Sequence, residues 1–397
     1  MTYKFPPRNA LGFNERKAIQ KVVKYYNKRK IDPGYQGFFE SELCKKFSRM
    51  MGGGYSDACS SGTAAAFIAL SALNLKKGSE VLISPVTDSG PLNALILLGL
   101  KPKLIDSSPN SYNVSLKQFL KRVSKNTKAA VIMHIGGEAS QIYEICLEAK
   151  KRKIKIIEDC SQAPFAKSIW SKKYSNICKK KFVGSFGDIS FFSTMYSKTI
   201  SSCGSAGIVF TKNKKLYHQI LAHSDRGKQI WKKNTNLKDP SKALYPALNF
   251  NSNEFLSAIS LASLNRVKET IKKRVNFLKS LNKFLRKSKV CYIYYQNFDL
   301  FSPFYISICV RKNLLKINKL RFAEEIKKKG VPLLSSYGCV ISEWSWAKKY
   351  MQDRFITQNA INFKKKTFNL FLNENYSHKE ASLIVNKILK IEKNFRK

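Results

Sequence analysis

Between residues 60 and 210, short apolar runs alternate with stretches of helical periodicity, a pattern that fits a β-sheet wrapped by helices and little else. The apolar runs lie near 80–84, 103–106, 129–133, 155–158, 188–192 and 206–211, with helix-like stretches at 63–75, 92–98, 116–123 and 141–151. Near-continuous rather than alternating apolar runs imply strands buried on both faces, hence a mostly parallel sheet sandwiched by helices. The last two runs are too close for a crossover helix, so that part of the sheet is expected to be antiparallel.

Past residue 250 the pattern changes. Residues 254–285 read as one long or kinked helix, followed by aromatic-rich strand candidates at 290–296 and 303–310, a charged helix at 319–329 and a terminal helix. The last opens on Ser377-His378-Lys379-Glu380, the spacing of a capping box. We therefore expect a large α/β domain over 1–250 and a smaller α+β domain over 251–397, with a surface insertion at 166–182.

The N-terminal residues lack a secretory pattern, and the longest apolar stretch, 92–100, is about half the roughly 20 residues that span a bilayer, which predicts a cytoplasmic protein with no membrane partner. Nine cysteines without a C-x-x-C pair fit buried thiols rather than a disulfide frame or zinc site. The four scattered histidines do not suggest a metal centre. A formal charge of +46 favours anionic ligands, but its lysines are dispersed, so no specific nucleic-acid partner is expected.

Three segments carry chemistry. Ser60-Ser61-Gly62-Thr63-Ala64-Ala65 precedes a helix; taken alone it is an ordinary N-cap, yet free N–H groups, Gly62 and the Thr63 hydroxyl also suit a phosphate. Asp159 ends the run Ile154-Lys155-Ile156-Ile157-Glu158, where ligands of open α/β sheets gather; the alternative is a turn cap. Gln162 is either a donor to the same ligand or a loop amide. Ser193 and Lys198 leave the following strand as Ser193-Thr194-Met195-Tyr196-Ser197-Lys198. A lysine amine that condenses with an aldehyde, 39 residues after a carboxylate able to keep a pyridine ring cationic, points to pyridoxal 5'-phosphate (PLP). His134 reads as a core histidine or as a neighbour of that cofactor.

This order of motifs resembles the DegT/StrS-type sugar aminotransferases of the aspartate-aminotransferase fold (fold type I). Gly34 to Glu40, Lys76 to Pro85, Asn126 to Gly137, Gly184-Ser185-Phe186-Gly187-Asp188 and Asn249-Phe250-Asn251 are similar to further signatures of that family, in the same order. The resemblance implies a homodimer in which Lys198 holds PLP as an internal aldimine, Asp159 pairs with the ring nitrogen, Gln162 approaches the ring hydroxyl, and Gly62, Thr63 and Ser193 bind the phosphate. Asn249 or Asn251 would reach the facing subunit's phosphate. The implied reaction moves an amino group, from glutamate, to a nucleotide-linked keto-sugar.

Departures accompany the resemblance. Asp88, after Pro85-Val86-Thr87, occupies the cofactor-binding position where the family places a ring-stacking aromatic; Gly204-Ser205-Ala206-Gly207 replaces its E-G-G, and Asn251 replaces an arginine. The competing expectations are a member that binds PLP or a sugar without turnover, and a basic nucleic-acid-binding protein on the same scaffold. A related dehydratase reaction uses a histidine where Lys198 stands.

Overall fold

The computed structural model describes residues 4–8, 10–169, 180–232, 234–295 and 297–397. Two helices, α1 (Phe13–Arg29) and α2 (Phe38–Met50), lead into strand β1 (Tyr55–Cys59) and helix α3 (Gly62–Ser71). β2 (Glu80–Ile83), α4 (Ser89–Leu97), β3 (Lys101–Leu104), α5 (Leu116–Arg122), β4 (Thr127–Met133), α6 (Ile142–Lys151) and β5 (Lys155–Asp159) then alternate. A small hairpin, β6 (Lys167–Ile169) and β7 (Lys180–Phe182), flanks residues 170–179 of the expected insertion, which lie outside the described residues. β8 (Ile189–Ser193), β9 (Gly207–Thr211) and α7 (Lys214–Ser224) follow.

The seven-stranded sheet has the order β1-β9-β8-β5-β4-β2-β3. Only β9 runs against the rest, pairing antiparallel with both β8 and β1. The period-2 pleat explains why this sheet needs helices on both sides. Along β4, Ala129, Val131 and Met133 enter one core with Val81, Ile83, Ile157 and α3, whereas Ala130 and Ile132 enter another with Leu82, Ile156, Phe192 and α6.

Of the two expectations for 254–285, a long or a kinked helix, the structure has the interrupted one, as helices α8 (Glu254–Asn265) and α9 (Val267–Leu285). The chain breaks at Arg266, whose guanidinium is drawn to Glu15 at 2.7 Å and to Glu374 at 3.5 Å. After β10 (Cys291–Tyr292) and β11 (Tyr305–Val310) come α10 (Lys319–Lys328), β12 (Leu333–Leu334), α11 (Gln358–Lys366), β13 (Thr367–Phe371) and α12 (His378–Phe395). The four strands form a second sheet, β10-β11-β13-β12, with its own core against α9, α10 and α12. Both arms of the capping box at Ser377 and Glu380 are present.

Other boundaries shift for local reasons. β3 begins and ends two residues before the expected run, because the Asp106 carboxylate has turned away to accept the N–H groups of Asn359 (2.9 Å) and Ala360 (3.2 Å) at the start of α11. Asp88 moves the start of α4 forward to Ser89 by accepting the Gly90 N–H at 3.1 Å. Gly137, at φ +96°, lies so close to the second sheet that a Cβ would sit 2.1 Å from the Ser302 carbonyl oxygen. Its lack of a side chain is what lets that backbone approach.

Glu40, on the first turn of α2, is buried facing Asp57 of β1. Burial, reinforced by that carboxylate, pushes its pKa from 4.5 up to about 8. A raised carboxyl favours the folded state while protonated, so this contribution is complete below about pH 4.5 and is lost as pH rises through about 8. Urea unfolding of Glu40→Gln should therefore show a flatter stability profile between pH 5 and 8.5 than the parent, with the variant gaining relative stability at the alkaline end. An unchanged profile contradicts this electrostatic reading.

Candidate active site

β5 and β8 are adjacent parallel strands, with Asp159 opposite Phe191, so the two segments singled out in the sequence leave the sheet side by side. The residue preceding Asp159 determines how they leave. Glu158 is fully buried, and its carboxylate accepts the N–H groups of Gly184 (2.6 Å), Phe186 (2.8 Å) and Gly187 (2.7 Å) and lies 3.1 Å from His134 Nε2. The Gly184–Asp188 turn thus wraps one carboxylate before entering β8. His134 Nδ1 accepts the Ser140 N–H at 3.1 Å, which leaves Nε2–H as the donor to Glu158. His134 is therefore a hydrogen-bonded core residue, and it also borders the cavity described below. Cys160 lies with His134 and Glu158 inside 4.8 Å, but both ring nitrogens and both carboxylate oxygens already have hydrogen-bond partners.

The ends of β5, β8 and β4 and the start of α3 enclose a cavity of about 210 Å³, lined by Gly62, Thr63, Asp88, Asp159, Gln162, Ser193 and Lys198 among others. Asp159 is 8% exposed and one of its oxygens accepts the Ser161 N–H at 2.8 Å. Burial raises its carboxyl pKa against the opposing pull of Ser161, Lys198 and His134. Across the cavity, burial lowers the Lys198 amine, opposed by Asp159 and Asp88. Lys198 Nζ rests 4.6 Å from the centre of the Phe304 ring. Burial, prevailing over the two carboxylates that would keep the amine charged, makes it readier to shed its proton and act as a nucleophile or base.

At the other end, Ser61 caps α3, its hydroxyl taking the Ala64 N–H and its carbonyl the Ala65 N–H. The first residues of the helix, Gly62 and Thr63, line the cavity at the end where the helix dipole is positive. Gly62 has a packing reason as well: a Cβ would lie 2.7 Å from the Ser193 Cβ, so glycine lets β8 and α3 converge. The Gln162 amide is held at both ends, its oxygen by the Gly136 N–H (2.9 Å) and its nitrogen by the Tyr337 hydroxyl (3.2 Å). Its second amide hydrogen remains as a donor. Ser205, from the altered glycine segment, donates to the Ser60 carbonyl at 3.1 Å and also lines the cavity.

Asn249 and Asn251 are not among the cavity's lining residues. Asn249 is exposed; its amide donates to the Tyr35 hydroxyl at 3.2 Å and its oxygen accepts from Asn251 at 2.8 Å. The sequence reading also missed neighbours from the second half of the chain. Phe304 and Tyr337 approach through β11 and the segment after β12, and Cys339 is held beside Thr87 by a 3.1 Å backbone bond.

The model of the DegT/DnrJ/EryC1/StrS aminotransferase family matches residues 15–389. The chain belongs to that family. Its members are PLP-dependent. The chain is 32% identical over 200 residues to GDP-perosamine synthase of Escherichia coli O157:H7, covering 49% of this chain and 52% of that protein. It is 27% identical over 270 residues to GDP-perosamine synthase of Vibrio cholerae, covering 66% and 65%. The matched stretches thus span between about half and two thirds of these relatives. In fold, the chain superposes with a TM-score of 0.85 on an aminotransferase from Psychrobacter cryohalolentis, at 20% identity over 98% of this chain and 99% of that one. Helicobacter pylori PseC, an aminotransferase involved in pseudoaminic acid biosynthesis, gives 0.81 at 18% identity, covering 97% and 98%. Among the described residues no helix is long and apolar enough to cross a membrane.

Because Glu158 holds three backbone N–H groups and a histidine, Glu158→Gln replaces an acceptor oxygen with a donor facing other donors. It should lower the unfolding free energy by about 2–4 kcal/mol in urea denaturation. A loss below about 0.5 kcal/mol would show that the turn holds itself.

Proposed function

We propose that the protein is a PLP-dependent aminotransferase that carries an amino group from an amino-acid donor, glutamate, to a nucleotide-linked keto-sugar. The observation that carries this reading is the shared cavity: a desolvated lysine amine, a buried carboxylate at a strand end and a helix N-terminus, each facing the same space. That donor set suits the cofactor. Lys198 supplies the amine for its aldehyde, Asp159 the carboxylate for its ring nitrogen, and Gly62, Thr63 and Ser193 the donors for its phosphate. The raised Asp159 carboxyl fits a group waiting for a cationic partner. When bound, PLP supplies an electron sink for the substrate carbon.

The protein's own residues then have separate tasks. Asp159, held by Ser161, fixes the ring end and stabilises positive charge there. Lys198 would hold the cofactor's aldehyde and, as an amine that burial makes readier to lose its proton, would be the group that gives and takes the proton at the substrate carbon. Gln162, anchored to Gly136 and Tyr337, keeps one N–H for the ring hydroxyl. Asp88 caps α4, yet its charge still reaches Lys198, so it adds a carboxylate to the cavity lining and no stacking surface. The reading includes domains over 1–250 and 251–397 and a cytoplasmic homodimer in which Asn249 or Asn251 serves the facing subunit's cavity. The position of both outside their own cavity fits that arrangement.

Protein loaded with PLP should convert glutamate to 2-oxoglutarate in a single turnover, and the amine-loaded protein should then aminate a nucleotide-linked keto-sugar, followed by absorbance and mass; Lys198→Ala should do neither. PLP binding without 2-oxoglutarate from any amino donor would favour a binding-only member, consistent with Asp88 in place of the aromatic. Mixing Lys198→Ala with the double variant Asn249→Ala/Asn251→Ala should restore turnover, because one mixed site is intact. Failure of the mixture to recover, with both variants dimeric, would rule out the cross-subunit asparagine.

A further inference from the structure

The loop that carries Lys198 is fastened from behind by side chains distant in sequence. From the N-terminal strap, Arg8 spans two carbonyls of the loop, donating to Tyr196 O at 3.1 Å and to Lys198 O, while its Nε meets Glu374 Oε1 at 3.3 Å. Arg274 of α9, 1% exposed, donates to the Thr199 hydroxyl at 3.2 Å and to the Pro303 carbonyl at 3.0 Å, and binds the other Glu374 oxygen at 2.8 Å. One carboxylate therefore ties together the guanidiniums on either side of the lysine. The strap is held in turn, because Asn373 and Asn375 donate to the carbonyls of Pro6 (3.0 Å) and Pro7 (2.8 Å).

None of these groups lines the cavity, so none is a candidate to touch cofactor or substrate. They set where the lysine is. A planar guanidinium that bridges the carbonyls of residues 196 and 198 restricts the backbone from which the Lys198 side chain departs. Arg274 fixes the residue after the lysine and, through Pro303, the residue before Phe304, over whose ring Nζ rests. The network thus holds the amine and the wall it rests against in one frame. Burial alone would raise the Glu374 carboxyl, but Arg274 and Arg8 outweigh it and bring it down to about 2, so the hub stays charged at neutral pH.

We propose that Arg8 is a positioning residue for Lys198, with Glu374 as the hub that couples the N-terminal strap and α9 to the reactive amine. The proposal rests on the reading that Lys198 is that amine, and its test separates the two. Competitive acetylation of cofactor-free protein with acetic anhydride, mapped by mass spectrometry, yields the pKa and reactivity of Lys198 without any PLP. In the parent that pKa should lie below that of surface lysines; in Arg8→Ala it should move up towards them as the side chain gains solvent. In parallel, covalent capture of PLP at Lys198 should slow by about tenfold or more in Arg8→Ala, a modest misplacement of a reacting atom.

Millimolar guanidinium should recover much of that rate, whereas Arg8→Lys, with a single point charge, should recover little. Glu374→Gln should give the same direction with a smaller effect. A parent that never captures PLP sinks the cofactor reading, while the acetylation result still tests Arg8. A parent that captures PLP, with Arg8→Ala equal to it in both assays, overturns the positioning role. So does slow capture that tracks a lowered melting temperature and ignores guanidinium, which would make Arg8 a structural tie only.

Discussion

The buried carboxylate of Glu158 is the interaction on which the site depends. It gathers the N–H groups of Gly184, Phe186 and Gly187 and the ring of His134, and so binds the end of β5 to the turn that opens β8. An ionised group taken out of water is costly unless its oxygens are fully occupied, and here backbone donors occupy them. Because that turn is fixed, the next residue on β5, Asp159, and the loop leaving β8 open on the same side of the sheet. That Lys198 and Asp159 share one cavity thus traces back to a buried carboxylate at the residue before Asp159.

The parts of the sheet legible in the sequence are those for which burial leaves no choice. β2, β4, β5, β8 and β9 are covered on both faces and read as continuous apolar runs. β1 went unread because Ser56 and Asp57 interrupt its pattern, and both find their place only when α2 and α7 pack against it. β12 is two residues long, shorter than any periodicity can register, and β10 occupies only two residues of the aromatic run at 290–296. The apolar stripe over 254–285 is continuous enough to mark a helix there but does not say where it bends. It divides because Arg266 answers acids at Glu15 and Glu374, more than 100 residues away on either side.

The same distinction divides the candidate site. Lys198, Asp159, Gln162, Gly62, Thr63, Ser193 and Asp88 sit at strand ends and helix starts, where local order betrays them, and all line one cavity. Asn249 and Asn251 lie elsewhere, as a contribution to a facing subunit would require. Phe304, Tyr337 and Cys339 belong to segments with no motif of their own, brought in when the second sheet docks. The glycine at position 62 has a packing role that its sequence context did not reveal: a side chain there would clash with Ser193.

Position 88 brings a second carboxylate to the cavity. A carboxylate there caps α4 and lends charge to Lys198, so the cavity offers two acidic groups around one amine. In a chain with 72 lysines and arginines, Lys198 alone should form the covalent bond to PLP. Borohydride reduction of the PLP-loaded protein followed by peptide mapping should give a single reduced adduct at Lys198; adducts scattered over surface lysines, or one at another position, would overturn the assignment.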